Sequence, residues 1–118
     1  MISMGIKVEF NPDLALRSIE EYKAGRRALD ECVPESLEVG KSYRFRKLGQ
    51  RLYNIGGKTP LLITQGEERC TEPLAAVRIT EVSHILEGET VFTVGTYVVD
   101  RVLTNGWVEF GGYGKSVQ

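Results

Sequence analysis

The densest run of reactive side chains lies between Lys41 and Gly66. Six cations occur there, Lys41, Arg44, Arg46, Lys47, Arg51 and Lys58, with no Asp or Glu among them. All 16 carboxylates lie outside this window, although the formal net charge of the chain is only −1. A local positive field can thus exist on a nearly neutral protein. Phosphate oxygens are its natural partners, because Arg offers a planar fork of donors and Lys a compact point charge. Tyr43, Phe45 and Tyr53 interleave with the cations, and an exposed aromatic ring is a platform on which a base stacks. The plainer alternative puts Tyr43 and Phe45 in the core and leaves the cations to solubilise the outer face. Arg26 and Arg27 form a second basic turn, after a predicted helix, where they would equally complement the helix dipole. The candidate nucleic-acid-binding set is therefore Arg26, Arg27, Arg44, Arg46, Lys47, Arg51, Lys58 and Tyr53.

Other chemistries are poorly supplied. Cys32 and Cys70 are isolated and His84 is the one histidine, too few for a Cys/His zinc site, so neither metal nor disulfide is expected. Glu81 and His84 could share a pocket if their strand were bulged, but a lone His with no spaced partner reads first as a structural or surface residue. Gly56-Gly57 and Gly111-Gly112 do not match a phosphate-loop pattern, and no Ser sits in a nucleophile elbow. No catalytic residue and no cofactor are assigned.

The elements that must position the cations are mostly strands. Ile6 to Phe10 alternates apolar and polar residues, as a half-buried strand does. Asn11-Pro12 reads as a helix start. Ala15, Leu16, Ile19 and Tyr22 then recur at helical spacing and Gly25 follows, which predicts a helix over Asp13 to Ala24 packed through those four side chains. Residues 25–42 form a connector with helical character near Arg26 to Glu31. Ser42 to Leu48 alternates, with Tyr43 and Phe45 on one face and Arg44 and Arg46 on the other. Arg51 to Ile55 and Leu61 to Thr64 are short strands. Leu74 to Leu86 is a long strand whose inward set switches from Val77 and Ile79 to Val82, which implies a bulge. After a turn at Glu87-Gly88-Glu89, strands follow over Thr90 to Val94 and Thr96 to Leu103, with a kink at Gly95. Asn105-Gly106 signals a hairpin into a last strand, Trp107 to Phe110.

With 118 residues, the chain fits one domain over 1–118, its core spanning about 6–110 and residues 111–118 a loose tail. A chain this size buries about 65% of its unfolded surface, enough for a core without staples. Met1 to Lys7 lacks a basic region followed by an apolar one, and no apolar run approaches the ~20 residues that span a bilayer, so a cytoplasmic location and no membrane partner are expected. The predicted fold class is α+β: a small, mostly antiparallel β-barrel with one main N-terminal helix packed on it, since closure removes exposed strand edges.

Three runs carry a family likeness: Ile6 to Pro12, Lys23 to Cys32, and Leu37 to Phe45, with Val77 to His84 and Gly95 to Val99 after them. Their order resembles ASCH domains of the PUA-like superfamily over roughly residues 6 to 103. Those domains read strand, helix, a GxKxxExR-like turn, then VGD into a strand. This chain keeps Gly25 and a basic Arg27, but has Asp30 for the Glu, Cys32 for the Arg, and Lys41 for the Asp of VGD. The resemblance implies a PUA-like barrel and a binding role. It does not carry over the hydrolysis of acetylated cytidine known in such domains, which uses a Lys, a Thr and a Glu. Arg27 stays protonated and cannot act as the base, and Ala28 has no hydroxyl. The expected function is an RNA- or nucleotide-binding module with a basic surface. The alternatives are a small hydrolase or nuclease in the same fold, or a protein-interaction accessory domain.

Overall fold

The protein is described by a computed structural model, which defines residues 8–64 and 73–103. Among these residues the strands are β1 (Val8–Phe10), β2 (Leu14–Leu16), β3 (Ser42–Leu48), β4 (Gln50–Leu52), β5 (Lys58–Ile63), β6 (Ala75–Glu87) and β7 (Thr90–Val102). One helix, α1 (Ile19–Lys23), and one 3-10 turn, Leu29–Glu31, complete the set. The five-stranded sheet runs β2-β5-β6-β7-β3, and β1 pairs with β4 beside it. The ladder is mixed: β2–β5 and β1–β4 are parallel, and the other pairs antiparallel.

The β6–β7 hairpin is the spine of the sheet. Its register slips between Ile79, opposite Tyr97, and Glu81, opposite Thr96, so Thr80 is an inserted residue. This is the bulge expected from the change of inward set. Val77 and Ile79 are fully buried on one side of it, and Val82 faces Gly95 beyond it. The kink expected at Gly95 is a close approach within one continuous strand. A Cβ there would stand 2.7 Å from the Phe45 ring and against the Glu81 carbonyl, so only glycine lets β3 and the bulge meet β7 here. The core gathers Leu14, Leu16, Phe45, Leu61, Val77, Ile79, Tyr97 and Val99, each at most 1% exposed. Burial on this scale contributes roughly 1.5–3 kcal/mol per large side chain.

The N-terminal region corrects the expected helix. Leu14–Leu16 is a strand that buries Leu14 and Leu16 against Leu61–Ile63 of β5. Asn11 caps no helix: its N–H continues the β1–β4 ladder to the Leu52 carbonyl at 2.9 Å. Helix α1 starts at Ser18, whose hydroxyl accepts from the Glu20 N–H, and buries no residue. Tyr22 is exposed, not core. The expected stop at Gly25 is present. Gly25 N–H bonds Tyr22 O at 3.0 Å and Arg26 N–H bonds Glu21 O at 2.9 Å, the Schellman pattern, with Gly25 at φ 80°.

The ladder does not close into a complete barrel among the described residues: β2 and β3 are its two edges. The edges are nevertheless bridged. The Lys47 ammonium on β3 donates to the Ala15 carbonyl on β2. The chain from Ala28 to Val33 lies in the gap: Arg17 N–H bonds Glu31 O at 2.9 Å and Val33 N–H bonds Arg17 O at 2.8 Å, while the 3-10 turn packs on β3. No described helix is long and apolar enough to cross a membrane. The hairpin at Asn105-Gly106, the strand Trp107 to Phe110, the 111–118 tail and Cys70 lie outside the described residues.

Candidate functional site: a pocket at the seam

The seam between β2 and β3 opens into a pocket of about 780 Å³, a size suited to a small organic ligand. One wall is α1 with Ile19, Tyr22 and Lys23; a second is Leu29, Asp30 and Cys32 of the 3-10 turn; the third is Ser42, Tyr43 and Arg44 of β3. The wall carrying Tyr43 is fixed. Its hydroxyl accepts from Glu38 N–H at 3.0 Å and donates to Ser36 O at 3.1 Å, and its ring stacks on Tyr97 at 5.7 Å. Cys32 is buried, its thiol donating to Ala28 O at 3.6 Å. Burial raises its pKa above the ordinary thiol value, so it is held as the unreactive thiol.

The alternation of β3 decides where its cations go. Phe45 points inward, and Arg44 and Arg46 point outward opposite Thr96 and Val94 of β7. Arg46 is taken up: it bonds Glu87, its guanidinium lies 4.1 Å from the Phe92 ring centre, and the Glu87 bond raises its pKa. Arg44 is exposed at the pocket wall with no hydrogen bond or ion pair to any described residue. Lys47 points to the other side, into the seam. Arg51 clamps the small sheet, its Nε donating to Leu48 O at 2.8 Å and an Nη to Asn11 Oδ1 at 3.3 Å. Lys58 pairs in register with Arg78 on the outer face, where Arg78 holds Asp100 through bonds of 3.1 and 2.8 Å. Arg26 bonds Glu21 at 3.1 Å and holds that carboxyl below its ordinary pKa. Arg27 stands 3.8 Å from Glu31. Tyr53 is half-buried, edge-on to Phe45 at 5.5 Å, so its ring serves the core.

The structure thus brings Arg44 and Arg46 onto one face and Arg44 to a pocket, while Lys47 and Arg51 face structural carbonyls. The window free of carboxylates in sequence is not free of them in space: the hairpin turns Glu87 onto Arg46 and sets Glu81 beside Thr96, whose hydroxyl donates to it at 3.2 Å. Glu81 and His84 do not share a pocket. The strand is bulged as required, but Glu81 faces outward with Thr96, and His84 lies opposite buried Thr93 with Nε2 2.9 Å from Arg51 O. Of the residues lining the pocket, only Arg44 belongs to the candidate set read from the sequence. Tyr22 was assigned to the core, and Asp30 stood out only as a departure from the family turn. No group of three or more His, Cys, Asp or Glu among the described residues could hold a metal ion.

Comparison with known proteins is sparse. No family model matches the chain, and no curated protein matches it. Among solved structures, the X-ray structure of protein ytmB from Bacillus subtilis aligns over 86% of this chain and 96% of that one, at 16% identity and a TM-score of 0.49.

Proposed function

We propose that this protein binds a nucleotide-like ligand, free or within an RNA chain, at the seam pocket and the adjoining Arg44–Arg46 face. The observation that carries the reading is Arg44: a guanidinium without a carboxylate partner among the described residues, at the wall of a pocket otherwise built largely of Ile19, Tyr22, Leu29, Pro34 and Tyr43. A flat base suits such walls, and a phosphate suits the fork of an unpaired Arg. Gly25 and the basic Arg27, which the turn keeps, support the same reading, as an ASCH-like protein whose rolled sheet is a PUA-like barrel open at the seam, working in the cytoplasm.

The test is a titration of short labelled RNAs and of nucleoside monophosphates at low and moderate salt. Wild type should bind in the micromolar range and weaken steeply with salt, because phosphate contacts release counterions. Arg44→Glu should bind at least tenfold more weakly and melt within a few degrees of wild type, since an exposed, unpaired charge contributes little to folding. Absence of binding at low salt, or equal binding by both proteins, overturns the proposal and leaves a protein-interaction domain in front.

A further inference from the structure

Charged side chains around the seam pocket are matched one to another, with two exceptions. Lys23 bonds Glu35 at 2.8 Å and stands 3.8 Å from Glu20. Arg26 takes Glu21. Glu31 accepts from the Ala28 N–H at 2.8 Å and faces Arg27. Glu38 faces Lys41 at 3.8 Å. Among the described residues the Arg44 side chain has no such partner, and Asp30, a half-buried carboxylate on the 3-10 turn that lines the same pocket, makes no hydrogen bond or ion pair, its one charge interaction being with Arg46. The two have opposite charges, yet they do not bond each other: Arg44 lies on the β3 wall and Asp30 on the turn. Arg46, whose pKa Asp30 helps to raise, is held by Glu87.

A carboxylate at a pocket wall with no donor from the described residues has its acceptor lone pairs open to a ligand. A ligand that brings a donor to Asp30 and an anion to Arg44 satisfies both. We infer that the pocket is bipolar and selects nucleotides whose base presents an amino group, with Asp30 reading the base edge and Arg44 holding the phosphate. This rests on the nucleotide reading above and extends it to base choice. The chemistry is that of carboxylate recognition in general: an exocyclic N–H donates to the carboxylate. Guanine offers two parallel donors, N1–H and N2–H, while adenine and cytosine each offer an exocyclic amine. Uracil offers only N3–H, flanked by two carbonyl oxygens that repel the carboxylate.

The experiment titrates AMP, CMP, GMP and UMP calorimetrically into wild type, Asp30→Ala and Arg44→Gln. Wild type should bind UMP about tenfold more weakly than the other three, as one good base-edge contact warrants. Asp30→Ala should abolish that difference, and Arg44→Gln should weaken all four alike and keep the ranking. If wild type binds UMP as well as CMP, or if the ranking survives in Asp30→Ala, Asp30 does not read the base, and nucleotide binding itself still stands. If none of the four monophosphates and no RNA binds, both proposals fall. The wild-type ranking alone decides the matter should Asp30→Ala fail to fold.

Discussion

Phe45 is the side chain on which the placement of the cations depends, and Phe45→Ala tests that directly. The ring is wholly buried. It meets Tyr53 edge-on at 5.5 Å and Tyr97 at 6.3 Å, and it lies over Gly95, which has no side chain to move into the space. Truncating a buried Phe costs roughly 3–5 kcal/mol, the upper part where the site cannot collapse. The missing Cβ at Gly95 argues for that upper part. Unfolding entropy near 2.1 cal/mol/K per residue gives about 0.25 kcal/mol/K for this chain, so Tm should fall by about 12–20 °C. Thermal and urea melts followed by circular dichroism measure it. Leu48→Ala is the control on the same strand: Leu48 is 58% exposed, and its loss should cost under about 1 kcal/mol. If Phe45→Ala melts within a few degrees of wild type, or no lower than Leu48→Ala, then β3 is not anchored as described. The outward placement of Arg44 and Arg46 would fall with it, because a one-residue slip exchanges the two faces.

Gly95→Ala should destabilise by roughly 1–3 kcal/mol through the clash with the Phe45 ring and the Glu81 carbonyl, and Phe45→Leu should recover part of that loss; strict additivity in the double-mutant cycle would refute the shared contact. Tyr97→Phe should leave stability at pH 7 unchanged or raised by up to about 1–3 kcal/mol, because its buried hydroxyl has no hydrogen-bond partner among the described residues; a clear loss would reveal a partner. The same burial raises the Tyr97 pKa above its ordinary 10.0. Its stabilising contribution is therefore complete below pH 10 and is lost as pH rises beyond, when the unfolded chain gives up the phenolic proton first. Alkaline unfolding should accordingly be shallower in Tyr97→Phe, and identical alkaline limbs would exclude the effect. Asp100→Ala should cost under about 1 kcal/mol despite its two bonds to Arg78, because Arg78 is exposed and Asp100 only half-buried; a larger loss in urea melts would show that the pair is enclosed.

Sequence reading succeeded where the local pattern and the tertiary environment agree. Ser42 to Leu48 is a strand with the bounds its alternation predicted, and the bulge in β6 follows from a change of inward set that only an inserted residue can produce. It failed where a distant partner outweighs a local signal. Asn11-Pro12 and the spacing of Ala15, Leu16, Ile19 and Tyr22 favour a helix, but Leu14 and Leu16 gain a parallel ladder on β5, which lies some fifty residues downstream. The true helix start was legible: Ser18 with Glu21 three residues on is the capping-box spacing. Of the site, the outward setting of Arg44 and Arg46 could be read from alternation. The neutralisation of Arg46 by Glu87 could not, because it depends on how the hairpin folds back. That Asp30 takes no hydrogen bond from the described residues was equally hidden, since which donors reach a carboxylate is a property of the packed chain.

The filled seam also sets an order of events in time. The β6–β7 hairpin joins residues adjacent in sequence across a two-residue turn, so its loop closes at little entropic cost and its contacts can form early. The seam needs Leu14–Leu16 to find Leu61–Ile63, then Ala28–Val33 to settle beside Arg17, then Lys47 to reach Ala15. These contacts are non-local and are held by few groups, so the seam should assemble late and be the first part to open. Amide exchange at Arg17 and Val33 should then proceed through a partial opening, at lower free energy than exchange at Val77 or Val99, which waits for global unfolding. A pocket built on such a seam exists only while the seam is shut. Any occupant would therefore register as slowed exchange at Arg17 and Val33, leaving the hairpin rates nearly untouched, and the site could be detected before its ligand is known.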